Sequence, residues 1–174
     1  MNAAAAISPS MVWRQEIVSG RRTGSPMLHG RTPSPPRSDI EELPMPHVTL
    51  YALEEELTGR EPGLIGELTD AVVSVYGEWA RRSVDVRLIG IPAGRWARGG
   101  ATVTTAAPSI TFGMREEVFA RDDAASIVAQ LVAAFTDAVT AVFGAECRDD
   151  VLVELVGQPT SRSGLGGKVI SAGD

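Results

Sequence analysis

Polar and apolar side chains alternate in two segments of the chain, 46–52 (PHVTLYA) and 108–114 (PSITFGM). A period of two is typical of strands with one buried face. After each segment, apolar residues recur at three- and four-residue spacing, which predicts an amphipathic helix. The predicted helix faces are Leu64, Ile65, Leu68, Ala71, Val72, Val75 and Tyr76, then Leu131, Val132, Phe135, Ala138, Val139, Val142 and Phe143. We interpret both stripes as core faces.

Each predicted helix is followed by a glycine and a second strand. Gly77 and Gly144 stand where glycine commonly ends a helix. The segments 84–89 (VDVRLI) and 151–156 (VLVELV) follow as second strands. The pattern therefore predicts two β-α-β units, each with a right-handed parallel crossover.

The two units are copies of one sequence. The offset of 67 residues that separates Leu68 from Phe135 aligns 68–77 (LTDAVVSVYG) with 135–144 (FTDAVTAVFG). It also aligns 84–92 (VDVRLIGIP) with 151–159 (VLVELVGQP), and the glycine pair 99–100 with 166–167. A shared offset across three elements indicates duplication. The first copy spans about 46–105 and the second about 108–172.

Two tandem β-α-β units predict an α/β (α+β) fold, a four-stranded sheet with two helices on one face. The opposite face is expected to be apolar and uncovered, and therefore to associate with other copies. Residues 1–44 are rich in Pro, Ser, Gly and Arg and are predicted to be a disordered extension. The alternative is that translation begins at Met45. Either way the globular domain is 45–174.

Composition indicates which partners, location and metal sites are expected for this domain. The net charge of −6 argues against nucleic acid as a partner, because phosphate binding needs a basic surface. No run of about 18 apolar residues predicts a membrane span. The single cysteine, Cys147, cannot form an internal disulfide, which favours a reducing, cytoplasmic location. Two separated histidines do not suggest a metal site.

Several of these features occur in a recognisable order. Met45-Pro46 precedes a strand, the first helix carries Leu64-Ile65 and Leu68-Thr69, the next strand reads SVDV (83–86), and PAGRW (92–96) precedes a glycine pair. In this order the chain resembles the tautomerase superfamily around 4-oxalocrotonate tautomerase, and in particular its fused, two-unit members. The resemblance covers about three quarters of the chain and is looser in the second copy.

The resemblance implies a cofactor-independent isomerase, a homotrimer, and a small carboxylate substrate, a 2-oxo acid or its enol. It makes Pro46 the general base, because a proline amine loses its proton more readily in a pocket that disfavours charge. This role requires Pro46 to be the mature N-terminus, since a proline within an amide bond has no basic nitrogen. Pro108 is internal and can only be structural.

The resemblance also assigns substrate-binding positions. Arg115 stands where two-component relatives carry a carboxylate-binding arginine, and Trp96 where relatives carry an aromatic pocket residue. The 4-oxalocrotonate tautomerase pattern itself is broken, because Glu56 and Asp85 replace its two arginines. The replacements argue against its diacid substrate. Arg87 could pair with Asp85 or replace the missing arginine, and Asp85 could orient a water molecule.

Two alternatives stay open at this point. One is a dehalogenase, hydratase or decarboxylase of the same superfamily, although water-adding relatives carry a glutamate where this chain has Arg98, or Leu165 in the second copy. The other is a non-catalytic trimeric homologue whose base is blocked by the N-terminal extension.

Overall fold

The computed structural model describes residues 46–170. The predicted disordered extension, 1–44, lies outside the described residues. The first copy contains β1 (His47–Leu53), α1 (Glu54–Leu57), α2 (Glu61–Tyr76), β2 (Asp85–Ile91) and a hairpin of β3 (Ala97–Arg98) and β4 (Ala101–Thr102). The second contains β5 (Ser109–Arg115), α3 (Ala124–Phe143), β6 (Leu152–Gln158) and a hairpin of β7 (Gly164–Leu165) and β8 (Lys168–Val169).

The four long strands form one sheet in the order β2-β1-β5-β6. Within each copy the two strands are parallel, and the copies meet through the antiparallel pair β1 and β5. Thr49 pairs with Thr111 in this central register. The predicted tandem β-α-β fold is confirmed.

The core lies between the sheet and helices α2 and α3. Every second residue of β1 and β5 faces the helices and is buried, including Leu50 and Phe112. Phe112 packs on Phe135 of α3 with ring centroids 5.2 Å apart. Ile65 and Val132, which the sequence placed on the core stripes, are 43% and 36% exposed. The buried stripe of each helix is therefore narrower than its stripe of apolar residues.

Helix α3 has the length and composition of a membrane-crossing segment. One of its faces, however, carries residues that are buried in the core cluster: Leu131, Phe135, Ala138 and Val139. This face packs in the core, and 22% of the apolar segment is buried inside the structure.

Both helices end at the predicted glycines. Gly77 and Gly144 have φ angles of 95° and 108°, a region that side chains with a Cβ rarely enter. Their backbone N–H groups donate to the carbonyls of Val73 and Thr140 and close the last helical turns. The predicted helix ends are confirmed.

The uncovered sheet face is more polar than the sequence predicted. Arg87 forms an ion pair with Asp85 on edge strand β2, and Glu154 lies on β6. The apolar side chains on this face, such as Ile89 at 40% exposed and Leu152 at 54%, lie on the outer strands. The central strands β1 and β5 place Thr49 and Thr111 on this face. The apolar residues of the face therefore form two separate groups.

Candidate active site

A cavity of about 260 Å³ opens at the N-terminal end of β1. We call it the Pro46 cavity. It is lined by residues of both copies: Pro46, His47, Tyr76, Trp79, Ala80, Gly113, Met114, Arg115, Val118, Gln158, Thr160, Ser163, Gly164, Leu165 and Ile170. Pro46 is anchored beside edge strand β2, because its carbonyl accepts a 3.0 Å hydrogen bond from the backbone N–H of Asp85.

The antiparallel centre of the sheet brings Pro46 and Arg115 together. His47 pairs with Gly113, so the C-terminal end of β5 passes the N-terminal end of β1 and carries Arg115 to the cavity. Met114 and Val118 make the neighbouring wall apolar. A guanidinium in such surroundings is well suited to hold a carboxylate through paired hydrogen bonds.

Two aromatic side chains form another wall of the Pro46 cavity. Tyr76 at the end of α2 meets Trp79 edge to face, with ring centroids 6.3 Å apart and planes at 84°. Burial raises the pKa of the Tyr76 phenol, and the positive charge of Arg121 opposes this shift only in part. Tyr76 therefore stays a neutral hydroxyl at physiological pH.

Tyr76 was predicted to lie on the core face of its helix, and Trp79 was not among the predicted site residues. The difference between the two copies at this position is a signal in the sequence. At the 67-residue offset Trp79 corresponds to Glu146, and Ala80 to Cys147. Positions at which duplicated units differ in chemistry are candidates for a role that only one unit performs.

His47 is a further lining residue that the sequence did not single out. Its ring lies over Gly113 of the neighbouring strand, and a Cβ at that glycine would overlap the imidazole. The side-chain nitrogen of Gln158 is 3.3 Å from Nε2 of His47. The imidazole is thus held between strands β5 and β6, at the edge of the cavity.

Three predicted site residues do not line the Pro46 cavity within one chain. Asp85 and Arg87 lie on β2 and are ion-paired with each other. Trp96 lies just before the hairpin of the first copy, whereas the cavity is bordered by the hairpin of the second copy, which carries Ser163 at the corresponding offset. The hairpin of one copy borders the cavity of the other because the two copies are arranged antiparallel. The sequence of a single copy does not reveal this arrangement.

The second copy has its own cavity, of about 510 Å³, around Pro108. Its lining is strongly charged: Glu56, Arg60, Arg98, Thr105, Ala106, Ala107, Pro108, Phe143, Glu146, Cys147 and Asp150. The two cavities occupy comparable places in the two copies and differ in chemistry. The Pro46 cavity is the apolar one.

The fold and the cavity together define a fused, tandem β-α-β protein with a proline at the start of its first strand. Neither a protein-family model nor a curated protein sequence matches the chain. Solved structures do match it. A fused 4-OT (4-oxalocrotonate tautomerase), described as a wild-type asymmetric trimer, is 26% identical, with a TM-score of 0.60 over 71% of this chain and 95% of that one.

Pt0534, solved after inactivation by 2-oxo-3-pentynoate, is 25% identical, with a TM-score of 0.59 over 71% of this chain and 94% of that one. A fused 4-OT that forms a symmetric trimer is 22% identical and shows the same fold, with a TM-score of 0.59 over 74% of this chain and 99% of that one. The chain belongs to the tautomerase superfamily, in its fused, two-unit form.

Proposed function

We propose that this protein is a cofactor-independent tautomerase that acts on a small 2-oxo acid or its enol. The observation that carries the proposal is that Pro46 and Arg115, a candidate base and a candidate carboxylate anchor, line one cavity. Membership of the tautomerase superfamily supports an isomerase.

The reaction needs only proton transfers. The amine of an N-terminal Pro46 would sit among Tyr76, Trp79 and Met114, and apolar surroundings disfavour its ammonium form. In that state it removes a proton from one position of the substrate and returns it to another carbon. Arg115 would bind the carboxylate and stabilise the negative charge that develops on the adjacent oxygen.

The cavity lining favours a monocarboxylate with an apolar substituent. Val118 and Leu165 also line the cavity, and their apolar side chains cannot bind a second carboxylate. The ring of Trp79, which is 48% exposed, offers a surface on which an aryl or alkyl group can pack. A simple aryl or alkyl enol-pyruvate matches these features.

One observation favours a second candidate function. In the printed sequence Met45 precedes Pro46. If that peptide bond is intact in the cell, the nitrogen of Pro46 is an amide and takes up no proton at physiological pH. The protein would then be a blocked, non-catalytic member of the superfamily that retains the ligand cavity.

Covalent labelling distinguishes the two functions. 2-Oxo-3-pentynoate, which inactivates Pt0534, carries an alkyne conjugated to a ketone and therefore reacts with nucleophilic amines. We expect protein that begins at Pro46 to gain the mass of one reagent molecule on its N-terminal peptide. The full chain should not be labelled at this position. Labelling of both forms at another residue, such as Cys147, would contradict the assignment.

We also propose that the chain forms a homotrimer, because two of the matching structures are trimers of fused units. The apolar side chains on the open sheet face, including Ile89, Leu152 and Val156, would be covered by neighbouring subunits. Light scattering should give three times the chain mass. Charge introduced by Leu152→Asp should lower that mass, whereas Glu55→Lys on the exposed helix α1 should not. A monodisperse wild-type monomer would contradict the proposal.

A further inference from the structure

We propose that His47 is a second proton-transferring residue of the Pro46 cavity and exchanges the proton on the substrate's enol oxygen. This inference rests on the proposed tautomerase function but not on the state of the Pro46 nitrogen. Imidazole is a side chain that can both accept and donate a proton.

The geometry fixes the imidazole at the cavity. His47 directly follows Pro46, lies on the opposite strand face from the buried Val48, and lines the same cavity as Arg115. Gly113, its partner in the antiparallel register, leaves room for the ring where any larger residue would collide with it. The ring therefore packs over the backbone of β5 at Gly113.

Gln158 contacts this ring. Its side-chain nitrogen lies 3.3 Å from Nε2 of His47, and the donor and acceptor of this contact depend on the tautomer of the imidazole. Gln158 itself lies beside Arg115 in the β5–β6 register, which links the imidazole to the proposed carboxylate anchor.

The second copy supports a role for His47 that belongs to the Pro46 cavity alone. The residue that follows Pro108 is Ser109, which cannot act as a base at neutral pH and does not line the Pro108 cavity. Among the described residues, the Pro46 cavity, which also has Arg115, is therefore lined by an imidazole, and the Pro108 cavity is not. A histidine that was needed only to form strand β1 would not have to share a cavity with Arg115.

The proposed step balances as follows. Ketonisation breaks the enol O–H bond, turns the C=C–OH unit into a carbonyl, and forms one new C–H bond. His47 takes the hydroxyl proton. The carbon receives a proton from water, and His47 then returns the hydroxyl proton to the hydroxide that remains, which restores the starting protonation.

The test uses the full chain, in which the nitrogen of Pro46 is an amide. Full-length protein should ketonise an aryl enol-pyruvate faster than buffer does, and His47→Gln should lower this excess rate at least about tenfold, below the usual range for general acid–base groups. Added imidazole should restore part of the rate to His47→Ala with saturation. Thr49→Ala, on the same strand face and outside the cavity lining, is the matched control and should keep the wild-type rate.

The outcomes separate His47 from Pro46. No excess rate in the full chain, or an unchanged rate in His47→Gln, overturns the proposal for His47. Strong activity of protein beginning at Pro46 that is insensitive to His47→Gln leaves Pro46 as the base and excludes His47. Equal rates with and without residues 1–45, both lost in His47→Gln, support His47 and refute Pro46.

Discussion

Protein that begins at Pro46 should ketonise an aryl enol-pyruvate at least about 100-fold faster than the full chain, the lower end of the contribution of a general base. The physical reason is that removing residues 1–45 converts an amide nitrogen into a secondary amine. The rate is measured by loss of the enol absorbance. Circular dichroism and light scattering of both forms control for folding and assembly.

Pro46→Ala in the shortened protein is the matched variant. It keeps a free amine but replaces a secondary amine by a primary one and removes the ring that fixes its direction. We expect a large loss with some residual activity. Equal turnover by the full and shortened chains would show that Pro46 is not the base.

Arg115→Ala should raise KM about 10- to 100-fold with a smaller effect on kcat. A charge-assisted hydrogen bond to a carboxylate contributes about 1.5–3 kcal/mol, and each 1.4 kcal/mol is a factor of ten in affinity. Steady-state kinetics on the shortened protein measure both constants. The KM of Arg115→Lys should lie between those of the wild type and of Arg115→Ala, because lysine keeps the charge and loses the planar pair of donors.

Two other arginines test the specificity of this effect. Arg82→Ala changes an exposed residue outside the cavity lining and should leave KM unchanged. Arg87 is the sequence-based alternative to Arg115, but it is ion-paired with Asp85 on the edge strand. A rise in KM for Arg87→Ala and not for Arg115→Ala would favour a site assembled between chains.

Most of the fold could be predicted from the sequence because it depends on local periodicity. Alternation in 46–52 and the stripe around Leu68 specify strand and helix before any tertiary contact forms. The offset between Leu68 and Phe135 then shows that the second unit repeats the first. Helix ends at Gly77 and Gly144 follow from glycine's access to positive φ.

The site could be predicted only in part. Pro46 and Arg115 were selected by resemblance, and both line one cavity. Trp96 was selected by the same reasoning, but Ser163 occupies the corresponding place at the Pro46 cavity because the second copy's hairpin borders it. Resemblance aligns positions within one unit. It does not show which of the two units supplies each wall of the Pro46 cavity.

The sequence by itself determined the duplicated β-α-β architecture, the helix ends and the residue types available for chemistry, because these depend on patterns within a few residues. Only the tertiary structure decided that β1 and β5 pair antiparallel, which places Pro46, His47 and Arg115 at one cavity and leaves Asp85 and Arg87 on the edge strand. That pairing joins residues far apart in the sequence, such as His47 and Gly113, which are 66 positions apart. The alternation within a strand predicts its buried face, but it does not identify the distant strand that lies beside it.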